Sequence, residues 1–130
     1  MTELLAPGRL SGDDQDTCRR ILDSIIAATW QERKSDAPFR MLDAKSLSKL
    51  NNEIRAMDIQ KKNNYSIFNI CRVDAVYTTG TSFTIIPLEA TAAAKAGSQK
   101  IESLIPVHVE ARTTILPEVT MLVLAHKEKG

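Results

Sequence analysis

The chain of 130 residues has few of the residues from which common catalytic and cofactor sites are built. It contains only five glycines, and no phosphate-binding loop, dinucleotide-binding motif or nucleophile-elbow motif occurs in it. Its two histidines, His108 and His126, are the only candidate imidazole bases. We expect both at exposed strand positions. The sequence therefore predicts no catalytic residues, no cofactor, no metal site and a protein that is not an enzyme.

Cysteine and long apolar runs are equally scarce. The two cysteines, Cys18 and Cys71, form neither a secreted disulfide framework nor a paired-cysteine metal motif, so we expect two reduced, partly buried thiols. The N-terminal stretch MTELLAPGRLSGDD lacks the basic and apolar regions of a signal peptide. No segment approaches the ~20 apolar residues of a membrane span. These absences predict a soluble, cytoplasmic protein.

Charge of one sign is also lacking. The chain has 17 basic and 16 acidic side chains, for a formal net charge of +1. This balance gives no overall attraction to nucleic acid or to an anionic membrane, so such a partner would need a local basic patch. With 43% hydrophobic and 25% charged residues, the composition is that of one globular domain. We expect an N-terminal arm over residues 1–12 and a single domain over residues 13–130.

Two segments have the apolar spacing of amphipathic helices. The first covers residues 13–34, where Ser11 and Asp14 resemble a capping box and Trp30 lies near the end. The second follows Asp43, a plausible N-cap, and runs to residues 63–64. Its sequence SLSKLNNEIRAMDIQKKNN carries an apolar seam that we expect to lie in the core of the domain, formed by Leu47, Leu50, Ile54 and Met57.

A third helix is predicted over residues 89–104 because the segment EATAAAKAGSQKIESL is rich in alanine. Ala93 and Gly97 would lie on its small-sided face, which would suit close packing against a sheet or another helix.

Apolar patterns predict the strands: most of them alternate with period two, and VTMLVLAH, which is apolar on both faces, is expected to be an interior strand. YSIFNICRVDAVYTTG and TSFTIIPL are expected to form a hairpin, and VHVEARTTI and VTMLVLAH a second one in which position 108 pairs roughly with 125. With PFRML as a short strand, the order after the first helix is βαββαβ-like with one strand appended. We therefore predict an α/β fold: a single-domain sandwich with a mixed four- to five-stranded sheet and flanking helices.

Two surfaces are candidate binding sites. A lysine-bearing face of the second helix could contact phosphates, although a merely solvated face is the simpler interpretation; its residues are Lys45, Lys49, Arg55, Lys61 and Lys62. A protein interface could include Trp30, a residue type favoured at interface centres, together with Ala93 and Gly97.

Without a catalytic motif, the sequence favours a protein–protein interaction or assembly module that self-associates as a homodimer and serves as an accessory subunit of a larger complex. An accessory RNA- or DNA-contacting protein of a nucleoprotein or viral-type complex is the second hypothesis. A small enzyme of unknown chemistry is the third. The expected partners are a second copy of the chain, other protein subunits and, weakly, RNA; no membrane or small-molecule substrate is evident.

Overall fold

The computed structural model describes residues 10–25, 39–63 and 67–125. These residues form three helices, α1 Gly12–Ile25, α2 Ala44–Arg55 and α3 Asp58–Asn63. They also form nine strands, which are β1 Phe39–Met41, β2 Ile67–Val73, β3 Tyr77–Thr78, β4 Phe83–Ala90, β5 Lys95–Ala96, β6 Gln99–Lys100, β7 Val107–Val109, β8 Thr114–Leu116 and β9 Val119–Ala125.

The strands build two sheets. The larger has five strands in the order β1-β2-β9-β4-β7, and the smaller has four in the order β3-β8-β5-β6. The predicted α/β class and the five-stranded sheet are confirmed. Every pairing between the described strands is antiparallel, whereas a mixed sheet was expected. The second sheet was not predicted.

The five-stranded sheet is the middle layer of three. Along β9, Leu122 and Leu124 belong to a core cluster shared with the helices, while Val119 and Met121 belong to a cluster shared with the smaller sheet. Because successive side chains of a strand point to opposite faces, a strand buried on both sides must be apolar throughout. This explains why the sequence VTMLVLA carries almost no polar residue.

The two predicted helix starts are confirmed by their capping contacts. At α1, the backbone N–H of Asp14 donates to Ser11 Oγ over 3.1 Å. At α2, the carboxylate of Asp43 accepts a 2.7 Å bond from the backbone N–H of Ser46. Such bonds satisfy donors that the first turn of a helix leaves free. The predicted helix beyond residue 25 lies outside the described residues.

The apolar seam of the second helix lies in the core, as predicted. Leu50, Ile54 and Met57 are 6%, 0% and 2% exposed and pack against the five-stranded sheet and α1. Burying each such side chain stabilises a fold by roughly 1.5–3 kcal/mol. The single helix expected up to residue 63 is, however, interrupted after Arg55, and α3 begins at Asp58.

The interruption has a tertiary cause. The carboxylate of Asp14, 3% exposed, accepts the backbone N–H of Asp58 at 2.8 Å and that of Ile59 at 2.9 Å. Asp14 therefore caps α3, and these two N–H groups do not continue the hydrogen bonding of α2. Ser11 joins the same contact, because its hydroxyl donates to Asp58 Oδ2 over 2.9 Å.

The helix predicted over residues 89–104 does not form, and that prediction is wrong. β4 continues to Ala90, and the following residues make the two short strands β5 and β6. Ala94 and Ala96, 0% and 8% exposed, are buried between the two sheets. Both alanines contribute to the core between the sheets, so tertiary packing overrides the weak helical preference of alanine here.

Both predicted hairpins are also wrong. β9 lies between β2 and β4, so the first two long strands do not pair with each other. The segment 107–115 divides into β7 and β8, which belong to different sheets. His108 pairs with Thr84 of β4, and His126 lies outside the described residues. None of the helices in the described part of the chain has the length and apolar character needed to cross a membrane.

Candidate functional site

One end of the five-stranded sheet carries a cleft of ≈ 300 Å³, which we name the polar cleft. Strands β2, β4 and β9 and the turns that flank β4 and β9 form its wall. It is lined by Arg72, Glu89, Ala90, Thr91, Glu118, Val119 and Thr120. Five of these seven side chains are polar or charged, which is unusual for a sheet whose strands are otherwise apolar.

Strand register brings the central groups of the polar cleft together. Thr120 of β9 is the direct partner of Arg72 on β2 and of Glu89 on β4. Directly paired residues present their side chains on the same face with Cβ atoms about 4.5–5.5 Å apart. The row therefore places a guanidinium, a hydroxyl and a carboxylate side by side across three strands. An irregularity between Pro87 and Glu89 brings Glu89 into this register.

The rim of the polar cleft is fixed by hydrogen bonds between two turns. The N–H of Thr91 donates to the carbonyl oxygen of Glu118 over 3.0 Å, and the N–H of Glu118 donates to Thr91 Oγ1 over 3.1 Å. These two bonds hold Glu118 next to the end of the row at which Glu89 lies. Both glutamate side chains are solvent-exposed, so each carboxylate can meet a solute.

An ion pair lies next to the row. Arg40 of β1 is the partner of Arg72 and contacts Asp74, with its Nε 3.6 Å from Asp74 Oδ2. Asp74 thus offsets the charge of Arg40. Among the described residues no group of three histidine, cysteine, aspartate or glutamate side chains could hold a metal ion. The polar cleft consequently offers hydrogen bonds and charges of both signs and no cluster of metal ligands.

The predicted lysine face is partly described. Lys45 and Lys49 are both exposed on α2. The backbone bond from Ser46 holds the pKa of Asp43 below its usual value, and the charges of Lys45 and Lys49 lower that pKa further. The two lysines therefore lie near a carboxylate that partly neutralises them.

Of the remaining members of the face, only Arg55 has a described side chain. Arg55 is exposed, but its guanidinium lies 5.4 Å from the centroid of the Phe68 ring and donates to Asn51 Oδ1 over 3.1 Å. Such a cation–π contact ties Arg55 to the protein surface. The side chains of Lys61 and Lys62 lie outside the described part of the chain.

Two of the three predicted protein-interface residues, Ala93 and Gly97, lie in the described part of the chain. Trp30 lies outside the described residues. Ala93 is exposed in the turn before β5, and Gly97 is exposed in the turn between β5 and β6. Ala93 and Gly97 were grouped because they would share one face of a helix, and that helix does not form. Contact of either residue with a partner protein stays a prediction.

A further surface feature is the edge of the larger sheet at β7. Among the described residues β7 pairs with β4 alone. Ile105, two residues before this strand, is 42% exposed, and the only other large hydrophobic residue so exposed in the described ranges is Val76 at 59%. His108 Nε2 is buried and makes no hydrogen bond to the described residues.

No family model, curated protein or solved structure matches this chain. The geometry of the molecule is therefore the only guide to its function.

Sequence reasoning missed the polar cleft. Arg72 and Thr120 are polar residues inside apolar strands, which is a visible signal. Their meeting with Glu89 depends on the insertion of β9 between β2 and β4, and Glu89 itself was expected in a helix. Alternation along one strand shows which residues share a face, but it does not show which strand lies next to it.

Proposed function

We propose that the protein is a non-enzymatic assembly module that self-associates as a homodimer and serves as an accessory subunit of a larger complex. The observation that carries this proposal is the edge of the five-stranded sheet at β7, flanked by the exposed side chain of Ile105.

Edge strands present unpaired backbone donors and acceptors, and proteins usually protect them with charged side chains. Two other edges are protected in this way, since β1 carries the exposed Arg40 and β6 carries the exposed Lys100. β7 has the sequence VHV, without a lysine, arginine or carboxylate. β3 is also free of such charge, but it has only two residues and offers fewer hydrogen bonds.

Pairing of β7 with β7 of a second copy would satisfy these groups. An antiparallel pair of identical strands is self-complementary about a two-fold axis, which is the commonest symmetry of homodimers. The described sheet is already antiparallel, so the dimer would contain one continuous sheet of twice the width. A net charge of +1 supplies little electrostatic repulsion against such association.

Sedimentation velocity across the micromolar range tests the proposal. We expect a concentration-dependent rise from the 14.4 kDa monomer to a dimer. Ile105→Lys should weaken the dimer by about tenfold or more, because a charge would be buried beside the paired edges. Val76→Lys is the matched control, since it places the same charge at an exposed apolar position next to β3.

Hydrogen exchange gives an independent measurement. Dimer formation should slow exchange of amides in β7 and leave those of β3 unchanged. A chain that stays monomeric throughout, or a dimer that Val76→Lys dissolves and Ile105→Lys does not, would contradict the proposal.

RNA contact through the lysine face is a second proposal, supported by the exposure of Lys45 and Lys49 on α2. Because the net charge is small, affinity should be micromolar or weaker and should fall with salt, with a log–log slope of roughly two to four. Reversing both lysines to glutamate should weaken binding of all RNA sequences equally.

NMR titration with single-stranded RNA measures this directly. Reversal of Lys95 and Lys100, an exposed cross-strand pair on the smaller sheet, is the control with the same change of net charge. Equal loss of binding in both double variants would mean that only total charge matters, and the α2 site would be rejected.

A further inference from the structure

We propose that the polar cleft binds a free basic amino acid, a small molecule with one carboxylate and two cationic groups. The ligand carboxylate would contact Arg72, and its cationic groups would contact Glu89 and Glu118. This inference is independent of self-association, because the cleft lies at the end of β4 that is remote from its pairing with β7.

Thr120 is the first support for a ligand. It is 4% exposed and it lines the polar cleft. A threonine at an interior position of an otherwise apolar strand gives the cleft a hydroxyl that can both donate and accept a hydrogen bond. A ligand in the cleft would bond to this hydroxyl.

The charges beside Thr120 determine the chemistry of the ligand. Arg72 and Glu89 flank it on the two neighbouring strands, and Glu118 stands at the rim. A guanidinium has five N–H donors, so Arg72 can hold a carboxylate while keeping contacts within the protein. One positive and two negative side chains leave a net charge of −1 in the lining. A ligand with one negative and two positive groups matches this arrangement.

The size of the cleft points to the same class. A volume of ≈ 300 Å³ lies at the lower end of the range for small-molecule sites and suits a ligand of the size of an amino acid.

Calorimetry and NMR titration with lysine and with arginine, up to about 10 mM, test the proposal. We expect saturable binding, with shifts of the amides of Thr91, Glu118 and Thr120. Glu89→Gln and Glu118→Gln should each weaken binding by about tenfold, because each removes a charge-assisted hydrogen bond. Glu110→Gln, an exposed carboxylate away from the cleft, is the control and should bind normally.

Thr120→Val separates a ligand contact from a structural role. The variant should keep or raise the melting temperature while binding lysine several-fold more weakly. Arg72→Lys should lose affinity for lysine more than for its decarboxylated diamine, because it alters the carboxylate contact.

Three results would overturn the inference. The first is no saturable binding of either amino acid to the folded wild-type chain. The second is equal affinity for alanine, glutamate and lysine, which would reject charge matching. The third is unchanged affinity in Thr120→Val and both glutamine variants, which would place the ligand elsewhere.

Discussion

Cys18 and Cys71 lie on opposite sides of the five-stranded sheet, Cys18 among the helices and Cys71 facing the smaller sheet. They are 0% and 8% exposed. Burial raises the pKa of each thiol to about 12, and the carboxylate of Asp14 adds to this effect at Cys18. The thiolate is the reactive form of cysteine, so neither residue is suited to nucleophilic or redox chemistry in the folded protein. The expectation of buried, reduced thiols is confirmed.

Alkaline pH should therefore destabilise the protein through these two groups. Below pH 9, the ordinary pKa of a thiol, both cysteines are protonated in the folded and in the unfolded protein. In that range ionisation of the thiols does not lower the stability of the fold. Between 9 and the folded value of about 12, only the unfolded thiols ionise, so stability should fall by up to about 1.4 kcal/mol per pH unit and cysteine. Urea denaturation from about pH 8 to about pH 11 measures this slope. Cys18→Ala and Cys71→Ala should each flatten it, and an unaltered slope in both variants would reject the explanation.

Among the elements, α3 depends on a residue remote in sequence. Asp14 on α1 accepts the first two backbone N–H groups of α3, over 2.8 and 2.9 Å. The apolar spacing of residues 46–64 predicted one helix, because such spacing shows which side chains are buried and does not show where the backbone hydrogen bonding is interrupted. The break is set by a carboxylate on another helix, and no local pattern reports such a contact.

Asp14→Ala should lower the free energy of unfolding by about 2–4 kcal/mol, since the buried N–H of Ile59 and the part-buried N–H of Asp58 would lose a charged acceptor. Asp13→Ala is the matched control. It removes an exposed carboxylate from the same turn and should change stability by less than about 0.5 kcal/mol. Equal effects of the two substitutions would show that the helix dipole, and not the cap of α3, is responsible.

The segment 89–104 shows where alanine content misleads. Helical propensity favours alanine by only a few tenths of a kcal/mol per residue over most others, whereas the burial of Ala94, Ala96 and Ile101 between two sheets is worth more. Long strands such as β2 and β9 could be predicted from the sequence, β2 from its alternation and β9 from its continuous apolar run. Their neighbours could not, because any apolar face can pack against several others, and the polar cleft depends on that choice of neighbours.

The substitution Gly97→Ala distinguishes the observed β5–β6 hairpin from the predicted helix. The two structures predict opposite signs for its effect on stability. In a helix, Gly97→Ala would stabilise the protein by about 0.5–1 kcal/mol. In the structure Gly97 has φ +62°, and an added Cβ would meet Thr113 Cγ2 at an ordinary 3.7 Å. The backbone conformation alone should therefore make Gly97→Ala destabilising by about 1–2 kcal/mol. Gly80→Ala, a turn glycine without a positive φ, should be neutral or slightly stabilising in the same thermal melts.

At the scale of the whole molecule, one sheet separates two apolar clusters. One cluster lies between this sheet and the helices, and the other lies between the two sheets. They share no residue, but both include residues of β2, β4 and β9. Adjacent residues on one strand therefore support different layers. Ile85 packs toward the smaller sheet and Ile86 toward the helices, and both are fully buried. Loss of either layer would expose one face of the central sheet to water.

Because neither layer can keep its apolar face buried alone, the described fold should unfold as one cooperative unit. Ile85→Ala and Ile86→Ala should each cost about 2–5 kcal/mol. In each variant, helical circular dichroism and the methyl NMR signals of Ala94 and Ala96 should be lost at the same temperature. All melts should be recorded at the same protein concentration, since self-association would make the melting temperature depend on concentration. Helices that melt in Ile86→Ala while the Ala94 and Ala96 signals persist would show two independently stable layers, and the three-layer domain would then be a loosely coupled pair.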